Sequence, residues 1–508
     1  MKKLFTLALV SILCTLGLDS YAQNFKTAVA SGKDSYIELQ GNYDLGGATV
    51  KIPDNCTLFF KGGKVTNGTI DFNGCKILGD PTFLCNVTGD VANDFVDLGW
   101  FGLVKGDTAD NGPTINKVAK VFNRLKLPHG TYYFSTPIVL PDVKFLEFYG
   151  DLKYTGKKNT SAISVTGTTA IMNFNGTISC YGNKNLSYLD GSKNSNIVGL
   201  DFVNVNNSTI LVNSVICFNE NVRISGLGAG CCYNKFTFGL IRNSNTGLRI
   251  YSGVKDGKTG WAHENIFIGG RFANLGTWDY DKQPSYAVRI EGETADRPAN
   301  SLFFLKQSFE RYRTIVYARN LKKSVFLNCR VEQSDLFVKF VGECKNNEIS
   351  TGYNDDCVLY DDSESTLVAR DVNDQLQTLI ADIDKASSQT LKSGKTEMQV
   401  IDIDTRAGKT IKVVADSPVK VGIVYKTKNG TNQITDAENQ KMSAPRSNLT
   451  TTAIQYNSTY HHFENRSKRE SVVFSVPSDV TSIQIRVYGT YSYAHVYGIG
   501  GSAAVMAK

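Results

Sequence analysis

Asn300-Ser-Leu-Phe-Phe-Leu-Lys-Gln-Ser-Phe-Glu310 and Ser324-Val-Phe-Leu-Asn-Cys-Arg-Val-Glu332 are the two stretches whose comparison decides the fold. Laid one over the other at an offset of 22 residues, Phe304 meets Phe326, Leu305 meets Leu327, Phe309 meets Val331 and Glu310 meets Glu332. A third row, Asn346 to Asp356, follows at an offset of 24. Short apolar strands repeating at this length belong to a chain that coils, each strand pairing with the coil above and below. Earlier rows open at Asn221, Asn234 and Asn265. Asparagine tolerates left-handed backbone, and its amide can bond to the asparagine one coil away, so the recurring residue reads as structural. Nearer the start, residues 37–39, 48–52, 57–60, 68–72 and 76–78 give five more short strands, too closely spaced for long hairpins.

Working outward, two segments carry a helical stripe. Residues 113–125 place Ile115, Val118, Ala119, Phe122 and Leu125 on one face behind Pro113, and residues 372–383 do the same with Val372, Leu376, Leu379, Ile380 and Ile383. Both are expected to cover an open end of the coil. From about residue 396 the strands lengthen and alternate, as in Val419-Lys-Val-Gly-Ile-Val424 and Ser482-Ile-Gln-Ile-Arg-Val487, which reads as an antiparallel β-sandwich. Lys2 and Lys3, the apolar run 4–16 and the small residues Ser20 and Ala22 read as a secretory signal peptide cut after Ala22. The expected organisation is all-β. It comprises a signal peptide over 1–22, a parallel β-helix with an N-terminal capping segment and helix over 23–371, a helical cap or linker over 372–395, and the sandwich over 396–508.

Composition narrows the partners. Of 508 residues, 41% are hydrophobic and 20% charged, which excludes a disordered or collagen-like chain. The net charge is +7 with no long basic run, so nucleic acid is not the expected partner. No later segment is apolar and long enough to span a bilayer. Eleven cysteines, one of them in the leader, are too few and too irregularly placed for a disulfide scaffold, although Cys56 and Cys75 could stack on adjacent coils.

The stretch Leu98-Gly-Trp-Phe-Gly-Leu-Val-Lys-Gly-Asp107, then Asp110-Asn111, the helix with Ile115 and Val118, Leu127-Pro-His-Gly-Thr-Tyr-Tyr-Phe134 and Pro137-Ile-Val-Leu-Pro141 resembles the opening of pectate-lyase-superfamily proteins. The pattern Asn265 to Phe272 looks tailspike-like. The resemblance covers residues 30–370. It implies a right-handed parallel β-helix of the kind found in polysaccharide lyases, polygalacturonase-like hydrolases and tailspike depolymerases. With the signal peptide, the expectation is a secreted bacterial protein, placed in the periplasm or at the outer surface of a Gram-negative cell. The Asn-Thr-Asp, Gly-Asp-Asp and Gly-His-Gly signatures of the hydrolases are absent, as are the lyase signatures. No family's catalytic residues carry over, because a shared fold does not fix function.

Alternation along Val325–Glu332 puts Val325, Leu327, Cys329 and Val331 inward and Phe326, Asn328, Arg330 and Glu332 outward. The row before it places Phe304, Lys306, Ser308 and Glu310 on the same outer face. Glu310 and Glu332 are then about 5 Å apart at Cβ, and Glu310 and Asp356 near 10 Å. Glycosidases that retain need carboxyls about 5–5.5 Å apart and those that invert about 6.5–9.5 Å, so the column suits either. Repulsion between stacked carboxylates should raise one of them and yield a general acid, with Arg330 orienting a carboxylate or binding a uronate. A second constellation, Trp261, His263, Trp278, Tyr280 and Tyr286 with Arg271, offers flat rings for stacking on sugars and a histidine for proton transfer. No cofactor is expected, although Asp355-Asp356 with Asp361-Asp362 could hold calcium. The functional expectation is an exported enzyme cleaving a polysaccharide along the β-helix groove, by hydrolysis or by lyase elimination. The alternatives are a glycan-binding or adhesive surface without turnover and a trimeric tailspike-like structural protein; the chain itself is a monomer or a trimer.

Overall fold

The computed structural model describes residues 25–30, 35–106, 109–181, 194, 196–274, 285–294, 297–332, 334, 336–355, 358–361 and 367–371, and beyond these the strands between 377 and 499 named below. The described chain is all-β with short helices, and it forms two compact units, Met1–Lys157 with Ala162–Ile178 and Lys158–Ser161 with Ser179–Lys508. No helix among the described residues is long and apolar enough to cross a membrane.

In the first unit the short strands stack in parallel. Tyr36–Leu39 lies beside Thr57–Phe60, which lies beside Lys76–Gly79, with Ile37, Leu58 and Ile77 in one buried row. Thr49–Lys51 and Thr82–Thr88 flank Lys64–Asp71, with Val50, Ile70 and Val87 in another. The coils turn at Asn55, Asn67 and Asn73, all in the left-handed region. Cys56 and Cys75 precede the paired residues Thr57 and Lys76, and burial raises both thiols. No disulfide joins the described cysteines, all of which are buried.

The helix expected over 113–125 runs only from Gly112 to Ala119, burying Ile115, Val118 and Ala119. Leu125 belongs instead to the strand Arg124–Leu127, which pairs in parallel with Phe145–Phe148. A strand ladder that buries Leu125 and Leu127 outweighs the helical periodicity of the stripe. Asp110 fixes the start of the helix: Oδ1 accepts from the Gly112 N–H at 3.1 Å, and Oδ2 accepts from the Ser135 and Thr136 hydroxyls at 2.8 and 2.6 Å. Burial alone would raise this carboxyl, but the bonds from Thr136 and Ser135 bring it down to about 2.

The second unit is built on two parallel ladders. The first comprises Ile197–Val203, Glu220–Leu227, Thr246–Lys255, Tyr286–Glu291, Thr314–Arg319 and Leu336–Val341. The second begins with Thr209–Ile216 and Lys235–Arg242. It continues with Ile266–Ile268 and Arg271–Ala273, then Phe303–Leu305 and Ser308–Glu310. Val325–Glu332 and Asn347–Asp355 follow. Phe304 faces Phe326, Phe309 faces Val331 and Glu310 faces Glu332, the register expected from sequence.

The inward and outward assignment needs correction in the first half of these strands. Phe304 and Phe326 are fully buried, whereas Leu327 is exposed. The cause is a left-handed residue in each coil, Lys306 in one and Asn328 in the next, which shifts the alternation by one position. Before it, Phe304 and Phe326 point inward; after it, Phe309, Cys329 and Val331 do, and Arg330 and Glu332 face outward as expected. The inward rings form a continuous stack: Phe236 to Phe267 at 5.4 Å, Phe267 to Phe304 at 4.5 Å and Phe304 to Phe326 at 4.4 Å between centroids.

Asparagine does two jobs here. Asn204, Asn207, Asn243, Asn320 and Asn346 take left-handed turns. Asn221, Asn234, Asn265 and Asn347 are buried and satisfy backbone groups at the corners. Asn234 donates to the Val205 carbonyl at 2.7 Å and to Asn265 Oδ1 at 2.9 Å, and Asn265 donates to the Cys231 carbonyl at 2.8 Å. The amide-to-amide contact across coils is the one the repeat implied.

Towards the C terminus, Gln377–Asp382 is a strand and not part of the expected helix over 372–383. It pairs with Leu359 on one side and, antiparallel, with Ala494–Ile499 on the other, so edge pairing overrides the helical stripe. Residues 383–396 lie outside the described residues. Beyond them the pairing is antiparallel: Glu397–Asp404 with Val480–Gly489, Val480–Gly489 with Lys420–Thr427, and Thr410–Ala415 with Glu470–Ser475 and Ala494–Ile499.

Candidate functional site

The expected carboxylate column stands on the second ladder. Register places Arg271, Ser308 and Arg330 in one outward row and Ala273, Glu310, Glu332 and Asp355 in the row two residues on. Asp355, not Asp356, is therefore the partner of Glu332; Asp356 lies outside the described residues. Ser308 is small, so the long arginines on either side of it can converge on Glu310. Arg271 grips Glu310 with two bonds, Nε to Oε1 at 3.0 Å and Nη2 to Oε2 at 2.7 Å. Arg330 Nη1 lies 3.8 Å from Glu310 Oε1, and its Nη2 donates to Glu332. One guanidinium thus touches both carboxylates, and the Glu310 side chain is left only 7% exposed. The bond to Glu310 raises the Arg271 guanidinium still further.

The aromatic constellation divides. Trp278 and Tyr280 lie outside the described residues, as do the calcium candidates Asp356 and Asp362. Trp261 is 46% exposed, with its backbone bridged to Gly230. A Cβ on Gly226 would sit 2.1 Å from the Trp261 carbonyl oxygen, so only glycine lets the two coils approach there. His263 is bridged to Asn300 on the same short edge, while Arg271 belongs to the carboxylate column.

Both nitrogens of His263 are occupied. Nε2 donates to the Pro298 carbonyl at 2.9 Å, and Nδ1 accepts from Asn300 Nδ2 at 3.3 Å. Burial pushes the imidazole down from 6.5, since removal from water disfavours its charged form more than the Pro298 carbonyl and Glu264 favour it. A base depressed in the folded state favours folding above 6.5, and that contribution is lost as pH falls from there through the folded value. Thermal unfolding of the wild type and of His263→Gln between about pH 8 and 5 should show their stability difference narrowing on acidification. A constant difference would remove the histidine as the cause.

A second charged surface, on the first ladder, escaped the sequence reading. Register stacks Asp201, Arg223, Arg249 and Arg289 in one outward row, continued by Tyr317 and Lys339. Ser225, Tyr251, Glu291 and Arg319 form the row two residues on. Asp201 accepts from Ser161 Oγ at 3.0 Å and Ser225 Oγ at 2.8 Å, with Arg223 at 3.6 Å. Arg223 also pairs with Glu220 at 2.6 Å; Arg249 reaches Glu220 at 2.9 Å and Glu291 at 2.7 Å; Arg289 reaches Glu291 at 2.7 Å.

The environments of the two buried acids push them apart. Burial raises Asp201 and its partners only partly offset this. Burial would raise Glu291 as well, but Arg249 and Arg289 together outweigh it and hold that carboxyl below its usual range. The signal available in sequence was the repeated charged-x-polar triplet, at Arg223-x-Ser225, Arg249-x-Tyr251 and Arg289-x-Glu291. The coils between these triplets differ in length, so no single offset aligns them. Among the described residues no group of three or more acidic, histidine or cysteine side chains is placed to hold a metal ion.

No family model matches the chain, and no curated protein matches it. Among solved structures, the chain is similar to full-length tailspike protein 2 from Escherichia coli O157:H7 bacteriophage CAB120, at 8% identity and a TM-score of 0.38, covering 81% of this chain and 73% of that one. It is similar to ORF18 of Geobacillus virus E2 at 12% identity and a TM-score of 0.31, covering 69% and 75%. It is also similar to Pantoea stewartii WceF, described as a glycan biofilm modifying enzyme with a bacteriophage tailspike-like parallel β-helix fold. There the identity is 10% and the TM-score 0.21, covering 80% of this chain and 63% of that one.

Proposed function

We propose that the protein is an exported enzyme that binds a glycan chain along its outward β-helix faces and hydrolyses it at Asp201 and Glu220. The supporting observation is a single guanidinium shared by two unlike carboxyls. Arg223 Nη1 lies 3.6 Å from Asp201 Oδ2, and its Nη2 lies 2.6 Å from Glu220 Oε2. Asp201, raised by burial, is the proton donor to the glycosidic oxygen; Glu220, held by Arg223 and Arg249, is the partner that activates water or attacks the sugar. In this reading the column of Glu310, Glu332, Arg271 and Arg330 holds the chain, with Arg271 gripping both oxygens of Glu310. The reading takes the coil as right-handed and the C-terminal antiparallel strands as a sandwich.

Glycan binding without turnover is the second reading. It is favoured by the pairing of each of these carboxylates with an arginine. The residues from 23 onward, offered acidic and neutral polysaccharides with and without calcium, separate the two. New reducing ends without ultraviolet absorbance support hydrolysis. Both signals together mean an unsaturated uronate and overturn it in favour of elimination. Retention on a glycan array with neither signal makes the binding surface the function.

A further inference from the structure

The charge along the first ladder is uneven. At the Asp201 end, carboxylates and arginines alternate and satisfy one another. At the other end the register runs from Arg289 to Tyr317 to Lys339, and beside it from Glu291 to Arg319 to Val341. Both oxygens of Glu291 are engaged: Oε1 accepts from Arg289 Nη2, and Oε2 accepts from Arg249 Nε, each at 2.7 Å. Among the described residues the Arg319 side chain is exposed and makes no hydrogen bond or ion pair, although its carbonyl accepts from the Gly292 N–H at 2.9 Å. The Nε of Arg289 is buried without a hydrogen-bond acceptor, an arrangement that costs free energy unless something supplies one. The guanidinium of Arg289 lies over Tyr286 at 5.5 Å and Tyr317 at 5.8 Å, and those two rings are 5.4 Å apart. That contact fixes the cation in place without neutralising it.

The geometry points to a subsite at Arg289 and Arg319, flanked by Tyr286 and Tyr317, that takes an anionic sugar unit, its carboxylate or sulfate accepting from both arginines. The subsite deepens the glycan reading and rests on it for the class of ligand, but it does not depend on cleavage. An anion there accepts from the exposed part of the Arg289 guanidinium, whose side chain is 35% exposed, and gives Arg319 a partner, while a tyrosine ring offers an apolar face to the sugar. Arginine suits the task because its planar fork matches carboxylate and sulfate alike.

The test is equilibrium binding of matched oligosaccharides, one set with uronates against the carboxyl-reduced form and one set with sulfate esters against the desulfated form. One charged member should bind about 10–100-fold more tightly than its neutral counterpart, the range expected for charge-assisted bonds. Whichever set shows this names the anion. Arg319→Ala should lose about 10-fold for the charged ligand and leave the neutral one unchanged, with Arg319→Lys recovering part of the loss. Arg319 is exposed, so its replacement leaves the fold intact, which a thermal scan verifies. Equal affinity for charged and neutral members, or equal losses for both in Arg319→Ala, overturns the subsite. Charge-selective binding without turnover retains the subsite and sinks hydrolysis instead.

Discussion

Asp201→Asn is expected to lower glycan cleavage by about 10²–10⁴-fold, the usual worth of a general acid, while glycan binding stays within a few fold. Asparagine keeps the shape of aspartate and an oxygen that can accept from Ser161 or Ser225, but it has no proton to give. The same substitution should not weaken the fold. The carboxyl of Asp201 is raised in the folded state, so its contribution to stability is present below 3.8 and is lost as pH rises through the folded value. Asparagine does not ionise and avoids that loss, so at neutral pH the variant should melt at or above the wild-type temperature. The wild-type rate should fall as pH climbs past the raised value of Asp201, and the residual rate of the variant should lack that limb. A variant that retains full turnover would remove Asp201 as the acid. Glu332→Gln would then be the deciding experiment for the second ladder.

Phe304→Ala should cost about 3–5 kcal/mol, the range for removing a buried phenyl ring. Phe304 is fully buried between Phe267 at 4.5 Å and Phe326 at 4.4 Å. Deleting it opens a gap in a stack that continues on both sides, and rigid neighbouring strands limit collapse around it. In a coiled architecture each repeat leans on its neighbours, so the loss should spread to adjacent coils. Hydrogen exchange should report faster opening in Ile266–Ile268 and Val325–Glu332 than in Tyr36–Leu39. Phe304→Leu should lose much less, because leucine refills most of the volume. A loss under about 1 kcal/mol for the alanine variant would show that the stack is not what holds these coils.

Both effects trace back to how much of the coil could be read from the residues. The pairing of Glu310 with Glu332, and of Phe304 with Phe326, was legible because nothing is inserted between those two coils. The direction of Phe304 was not, since strict alternation carries no mark for the left-handed step at Lys306 and Asn328. Lysine is an unusual occupant of that conformation, so composition gave no warning at the first of the two. The row from Asp201 to Arg289 was hidden for a different reason: its members sit in coils of unequal length, and alignment at one spacing scatters them. The stripe around Leu379 and Ile380 failed because a strand edge supplied by Ala494–Ile499 lies more than a hundred residues away in sequence.

The inequality of the coils has a practical side. Asn274 and Ser285 bracket a departure from the common repeat, and both are fully buried. Asn274 is tied to Ser244 through two bonds, and the Ser285 hydroxyl accepts from the Arg313 N–H at 2.9 Å. The ends are therefore anchored to other coils independently of whatever chain joins them. Closing a longer connection between fixed ends costs only about 0.6 kcal/mol for each doubling of length. A foreign peptide or small domain spliced between Asn274 and Ser285 should accordingly leave the ladders on either side in register.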